Sequence, residues 1–431
     1  MATATPVRCG DWLDQRTTQR LEKPAAISRR RGFWIVAALF AIVQAGGTIP
    51  IPLYVVWQPR FGFNAGLLTL IFAVYAIGVL LALVVVSPLS DQLGRRPALA
   101  AAIVLSGSSA ALFLLANSTA WLLPARFVSG VASGIVAASA TAALEELEPN
   151  GRSRRASLIA TAANLGGLGL GTLFAGFIAQ YGHNPTKLVF WIYLAALVPV
   201  FLGLLVVSET VRPPANIEWR PHGIRVPANA GKRFAVIGGA IFCAYTLNGL
   251  FSSLVPSFLA GSLHEHNHAI AGAISAGIFL TAVVSQLALH NLSPRTALTF
   301  GLLLLLVSLA LIELALWDGH LSVFLAGTLA GGLAAGLSFM GGIATVNILA
   351  EPKHRAQAVA AFFSCAFAGL TIPSVAVGLS SESIGTKDAT LYCAIVIGVL
   401  ATLALLAVRH GDEPATTQDA PAGSEPAISQ A

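Results

Sequence analysis

Three groups of polar residues interrupt an otherwise apolar chain, and their types say what chemistry each could perform. The first is the run Ser87, Pro88, Leu89, Ser90, Asp91, Gln92, Leu93, Gly94, Arg95, Arg96, Pro97. Gly94 lets the backbone reverse at low steric cost. Asp91 offers an acceptor to an arginine or to the free amides of a helix start, and Arg95 and Arg96 hold the turn at a membrane surface. The chemistry is that of an ionic latch. The second group is centred on Arg126, with Gly130 and Gly134 following at four-residue spacing on one helical face. A guanidinium there can take a carboxylate bidentately or snorkel to the outer interface. Gln44, Thr48, Asn164, Asn248 and Asn347 add neutral donors and acceptors inside apolar runs. The third group is Glu145 and Glu146 beside Arg152, Arg154 and Arg155, a surface ion network able to pair with the Asp91 turn. Arg355 occupies the position matching Arg155 in the second half.

Other chemistries find little support. His264, His266 and His268 alternate in one loop and could present ligands to zinc or copper, but no second cluster completes a site, so neither metal nor cofactor is expected. No Gly-x-x-x-x-Gly-Lys-Ser/Thr phosphate loop occurs, which excludes ATP as an energy source within this chain. Catalytic acids, bases or ligands gathered at one membrane face, as an integral enzyme would need, are also missing. The acids inside or at the edge of apolar runs are Asp91, Glu145, Glu146 and Glu313. Glu313 is expected to reach for the interface.

The elements that carry these residues follow from composition. Of 431 residues, 56% are hydrophobic and 10% charged, far below the charged fraction of about 25% usual in soluble domains. Twelve apolar runs are long enough to cross about 30 Å of hydrocarbon: residues 32–57, 63–86, 98–116, 121–144, 156–179, 188–207, 234–259, 268–289, 296–316, 321–349, 356–380 and 389–408. The chain therefore reads as an all-α integral membrane protein embedded in a lipid bilayer. Its expected parts are an N-terminal tail (1–31), a six-helix bundle (32–207), a central loop (208–233), a second six-helix bundle (234–408) and a disordered tail (409–431). The formal charge of +6 sits in short clusters between runs, which argues for orientation and against nucleic acid. Of the 25 Lys and Arg, only Arg60, Arg126, Lys187 and Lys387 fall outside the set assigned to one side, so both termini are expected in the cytoplasm. The four cysteines are far apart and suggest no disulfide framework.

The two halves echo one another. Arg126, Gly130 and Gly134 in the fourth run correspond to Thr328, Gly332 and Gly336 in the tenth, and Gln44 stands eight residues before Pro52 as Asn248 stands eight before Pro256.

The run from Ser87 resembles the signature of the major facilitator superfamily, Gly-x-Leu-x-Asp-x-x-Gly-Arg-Arg/Lys: Leu89, Asp91, Gly94, Arg95 and Arg96 match, and Ser87 replaces the leading glycine. Arg126 followed by spaced glycines is similar to the family's fourth-helix motif. The stretch from Asn164 through Gly166, Gly167, Gly169, Gly171 and Gly176 is similar to the glycine-rich fifth helix of its proton-coupled antiporters, with Thr172 where proline is expected and Ala175 where glycine is. Small-residue helix packing explains the same glycines equally well. The resemblance implies two six-helix bundles around a central cavity, with substrate held near the midplane by spans one, four, seven and ten. It implies a monomeric secondary transporter of a small molecule in the inner membrane, nearest to the drug and metabolite exporters, with a proton as candidate coupling ion. An importer of a small organic anion is the alternative, and a membrane sensor or enzyme is a weaker one. Within this resemblance Asp91 and Arg95 latch the inner ends of the two halves in the outward-open state. Exporters of cationic drugs often carry an acid in the first helix, where this chain has Gln44 and Thr48, so neutral or acidic amphiphiles are the expected cargo.

Overall fold

The computed structural model describes residues 29–86, 92–211, 230–261, 267–351 and 354–410. These residues form helices and short connections, with no strand among them. Twelve of the helices are long and apolar enough to cross a membrane. The first begins earlier and ends later than the apolar run alone suggests, as Arg29–Phe61, because amphipathic residues at both ends continue the helix into the interface. The N-terminal tail, most of the central loop and the C-terminal tail lie outside the described residues, as do Asp91, His264 and His266.

Span one is in two pieces, Arg29–Thr48 and Pro50–Phe61. Pro50 and Pro52 have no N–H, so the carbonyls of Gly46 and Thr48 lose their intrahelical donors and the helix breaks at Ile49. Trp57 fixes the second piece by stacking near Phe113 and Phe190, at 5.6 and 6.2 Å between ring centroids. Span two (Ala65–Val85) starts at Asn64, whose side chain accepts from the Leu67 amide at 2.9 Å, and finishes in a π-helical turn, Ala82–Val86. The turn into span three (Arg95–Leu115) passes through Gly94 at φ 104°, a conformation open to glycine and strained for other residues.

Two cores form, one from apolar side chains between Phe33 and Val207, the other from those between Phe234 and Leu405. Lipid supplies no hydrophobic drive between helices, so close backbone approach at small residues does that work. In span four (Thr119–Leu147), a Cβ added at Gly130 would collide with the Tyr75 carbonyl, and one at Gly134 would lie 2.7 Å from the Val79 carbonyl. In span ten (Leu321–Leu349) the same two positions, Gly332 and Gly336, face the Ile278 carbonyl at 2.5 Å and the Ala282 carbonyl at 2.6 Å. Span four thus packs on span two as span ten packs on span eight (His268–Ala288). Likewise Gly167 in span five (Ser153–Tyr181) meets the Ala41 carbonyl of span one, and Gly369 in span eleven (Gln357–Ile384) meets the Phe242 carbonyl of span seven (Gly231–Leu250). The repeat visible in the sequence is a repeat of helix-packing contacts.

The two halves meet along two seams. Gly176 of span five and Gly272 of span eight are nearly in backbone contact, and at the arginine-bearing end Arg154 donates to the Asn291 side chain at 2.6 Å. On the other side, Gly66 of span two abuts Leu379 of span eleven, and Ile51, Phe72, Ala76 and Leu370 close a small shared core.

Gly130→Val should lower the melting temperature of the detergent-purified protein, since overpacking costs about 1–3 kcal/mol. Gly166→Ala, at a position with nothing within 4 Å of an added Cβ, should not; equal melting of both variants with the native protein would contradict the packing account.

Candidate functional site

The break in span one, the glycines of span four and the start of span two together enclose Arg126. Span four begins at Thr119, which places Arg126 about two turns inside the helix, and its side chain is 0% exposed. It does not snorkel to the interface. Nη1 donates to the Gly47 carbonyl at 2.6 Å, just before the break in span one, and Nε donates to the Tyr54 hydroxyl just after it. Cζ stands over the rings of Tyr75, Tyr54 and Phe72, at 5.2, 5.3 and 5.5 Å from their centroids. Gly130, one turn along, is what lets the Tyr75 stretch of span two come so near. Nη2 has no hydrogen-bond partner, and among the described residues no carboxylate pairs with Arg126.

The neutral candidates are divided. Gln44 donates through Nε2 to Asn164 Oδ1, and Thr48 donates to the Leu168 carbonyl at 2.6 Å. Both therefore tie span one to span five. The guanidinium rests on the Gly47 carbonyl and the Tyr54 hydroxyl and not on Gln44, whose amide is turned to Asn164. Asn248 is half-buried in span seven and Asn347 is exposed near the end of span ten. Gly167 and Gly171 face span one, whereas Gly176 faces span eight, so these fifth-span glycines serve close packing on two sides. Glu313 in span nine (Pro294–Asp318), expected to reach for the interface, keeps Oε2 buried and without a hydrogen-bond partner.

The second site lies at the arginine-bearing end of the first bundle. Arg95 donates through Nη2 and Nε to Glu146 Oε1, at 3.1 and 3.2 Å. The amides of Arg95 and Arg96 donate to Glu209 at 2.8 and 3.0 Å, so that a carboxylate caps the positive end of span three. Arg96 also donates to the Leu205 carbonyl at 2.6 Å, and the Thr210 hydroxyl donates to Glu146 Oε2. A Cβ at Gly94 would lie 2.6 Å from the Glu209 carboxylate, which gives that glycine a second reason besides its φ. Of the expected network, Glu146 pairs with the turn through Arg95, and the other members are placed differently. Arg155 pairs with Glu148 at 3.5 Å and lies over Phe33 and Trp34, Glu145 is exposed, and Arg355 is exposed at the start of span eleven with no ion pair among the described residues. The Arg152 amide, followed by that of Asn150 and the charges of Arg155 and Arg152, holds the Glu148 carboxyl below its ordinary range.

Glu209 and Glu148 were not among the residues singled out in the sequence. For Glu209 the available signal was an acid three residues beyond the end of span six (Pro185–Val206), within reach of a turn that carries arginines.

The sequence profile of the Major Facilitator Superfamily matches residues 28–235 and 237–430, and the chain belongs to that superfamily. Three uncharacterized transporters of Schizosaccharomyces pombe are each 27% identical to it over 193 residues, 43% of this chain and 38% of theirs. The matched stretch thus spans well under half the length of those curated relatives. Among solved structures, a bacterial homolog of the human lysosomal transporter Spinster, inward-facing and unoccupied, superposes with a TM-score of 0.69 at 14% identity, covering 90% of this chain and 98% of that one. A POT family transporter in complex with 5-aminolevulinic acid gives 0.68 at 15% identity, covering 89% and 96%. The chain is a multi-pass membrane protein with the twelve-helix transporter fold.

Arg126→Met separates a structural from a functional role. It removes a buried charge whose desolvation costs several kcal/mol and leaves two acceptors without a donor, at about 1–3 kcal/mol each. Its melting temperature should fall no further than that of Gly130→Val while transport is lost. A large loss of stability with transport retained in the folded fraction would make Arg126 a structural tie.

Proposed function

We propose that the protein is a secondary active transporter that exports neutral or acidic amphiphilic molecules by alternating access between its two bundles, driven by a proton gradient. Membership of the superfamily supports transport. The observation that carries the choice of cargo is Arg126, a fully buried guanidinium with a spare donor and no carboxylate partner among the described residues. A permanently cationic substrate would meet that charge after losing its hydration, at a penalty of several kcal/mol. An anion would gain a charge-assisted hydrogen bond instead.

The arginine-bearing loops orient the chain with both termini in the cytoplasm, the side from which an exporter loads. The contacts that hold Arg95 to Glu146 and Glu209 lie within the first bundle. They keep its inner end rigid while the seams between bundles open and close.

Reconstituted vesicles with a pH gradient of either sign test the proposal, using a labelled weak organic acid and a quaternary ammonium compound of similar size. Gradient-driven flux of the acid, absent in Arg126→Met, is expected together with little flux of the cation. Transport of the cation by the native protein and Arg126→Met alike would overturn it.

A further inference from the structure

The second bundle faces this charge with rings. Tyr245 of span seven lies 6.3 Å from Phe339 of span ten, and Phe339 lies 5.8 Å from both Phe362 and Phe363 of span eleven. Phe363 stacks on Phe367 at 6.5 Å. Phe362 is wholly buried and anchors the group, while Tyr245, Phe339, Phe363 and Phe367 are only partly buried.

This aromatic group continues to the buried cation. Tyr245 and Phe367 pack on the shared core of Ile51, Phe72, Ala76 and Leu370, and the Phe72 ring is one of the three beneath Arg126. Phe72 therefore links the guanidinium to aromatic side chains contributed by three spans of the other bundle. No charged residue lies on those spans between residues 234 and 250, 321 and 349, or 356 and 381. One end of this group is a single guanidinium and the rest is uncharged and aromatic.

We infer that the cargo is an aromatic monocarboxylate, its carboxylate taken by Arg126 and its ring laid on Phe339, Phe363, Phe367 and Tyr245. This rests on the anion site proposed above. The fork of a guanidinium matches a carboxylate, and with one guanidinium present a second carboxylate on the ligand would go unpaired. Ring faces prefer offset or edge-on contact with another ring over contact with a saturated surface of the same area. Rings also attract quaternary ammonium ions, but a cation laid on this group would be repelled by Arg126, which shares the Phe72 ring with it.

The test compares three inhibitors of the transport measured in vesicles: naphthalene carboxylate, its saturated decalin counterpart, and the uncharged naphthalene carboxamide. In the native protein the aromatic acid should inhibit about fivefold more strongly than the saturated acid, the size of effect expected for aromatic pairing. In the double variant Phe339→Leu, Phe363→Leu that ratio should fall to about one, with thermal melting confirming that the variant is folded. Equal inhibition by the two acids in the native protein would overturn the aromatic assignment while leaving an anion site intact. If the carboxamide matches both acids, the anion site itself fails. Should the double variant not fold, Phe363→Leu alone must still lower the ratio, and an unchanged ratio would count against the inference.

Discussion

A guanidinium buried inside a membrane bundle, with no carboxylate beside it among the described residues, is the constraint on which the rest of this structure turns. Placing Arg126 there costs several kcal/mol. What offsets that cost is assembled from separate features: the carbonyl of Gly47 beside the proline-broken helix, the hydroxyl of Tyr54 beyond the break, and three ring faces. Each needs the others. The break at Ile49 that Pro50 and Pro52 impose sets Gly47 and Tyr54 on either side of the guanidinium, and without Gly130 the backbone at Tyr75 could not come close enough to present its ring. A well-packed apolar side chain would fill this volume at lower cost, and the persistence of the charge is the main argument that it acts on cargo.

Each bundle is held together as a unit. Within each half the glycines bring backbone onto backbone, which fixes helices two with four and one with five, and their counterparts eight with ten and seven with eleven. Between the halves run a glycine pair, a short apolar core and two hydrogen bonds, from Arg154 to the Asn291 side chain and from the His268 amide to the Gln180 side chain. The carboxylates of Glu146 and Glu209 bind the turn before span three to the ends of spans four and six, so that a force on the turn moves the whole first bundle.

Much of the fold was legible in the sequence because its determinants are local. Apolar runs of membrane length, arginines on one side, and glycines at four-residue spacing are all visible within single helices, and Gly130, Gly134, Gly332 and Gly336 pack as their spacing suggests. The site was less legible because its contacts join residues far apart in the chain. Arg126 stood out by its charge, but its acceptors depend on where span one breaks. Gln44 and Thr48 looked free until their partners on span five were placed. Glu209 lay in a segment read as loop, and Phe339, Phe363 and Phe367 are ordinary apolar residues in sequence, grouped only when spans ten and eleven come together.

The most direct measurement of the central claim, that Arg126 is kept unpaired in order to bind an anion, is ligand-dependent thermal stabilisation of the purified protein by a carboxylic acid and by its methyl ester. A ligand bound only to the folded state at a hundred times its dissociation constant adds about 2.7 kcal/mol. The acid should raise the melting temperature of the native protein, the ester should raise it little, and neither should stabilise Arg126→Met. Equal stabilisation by acid and ester, or stabilisation by the acid that survives in Arg126→Met, would contradict the account.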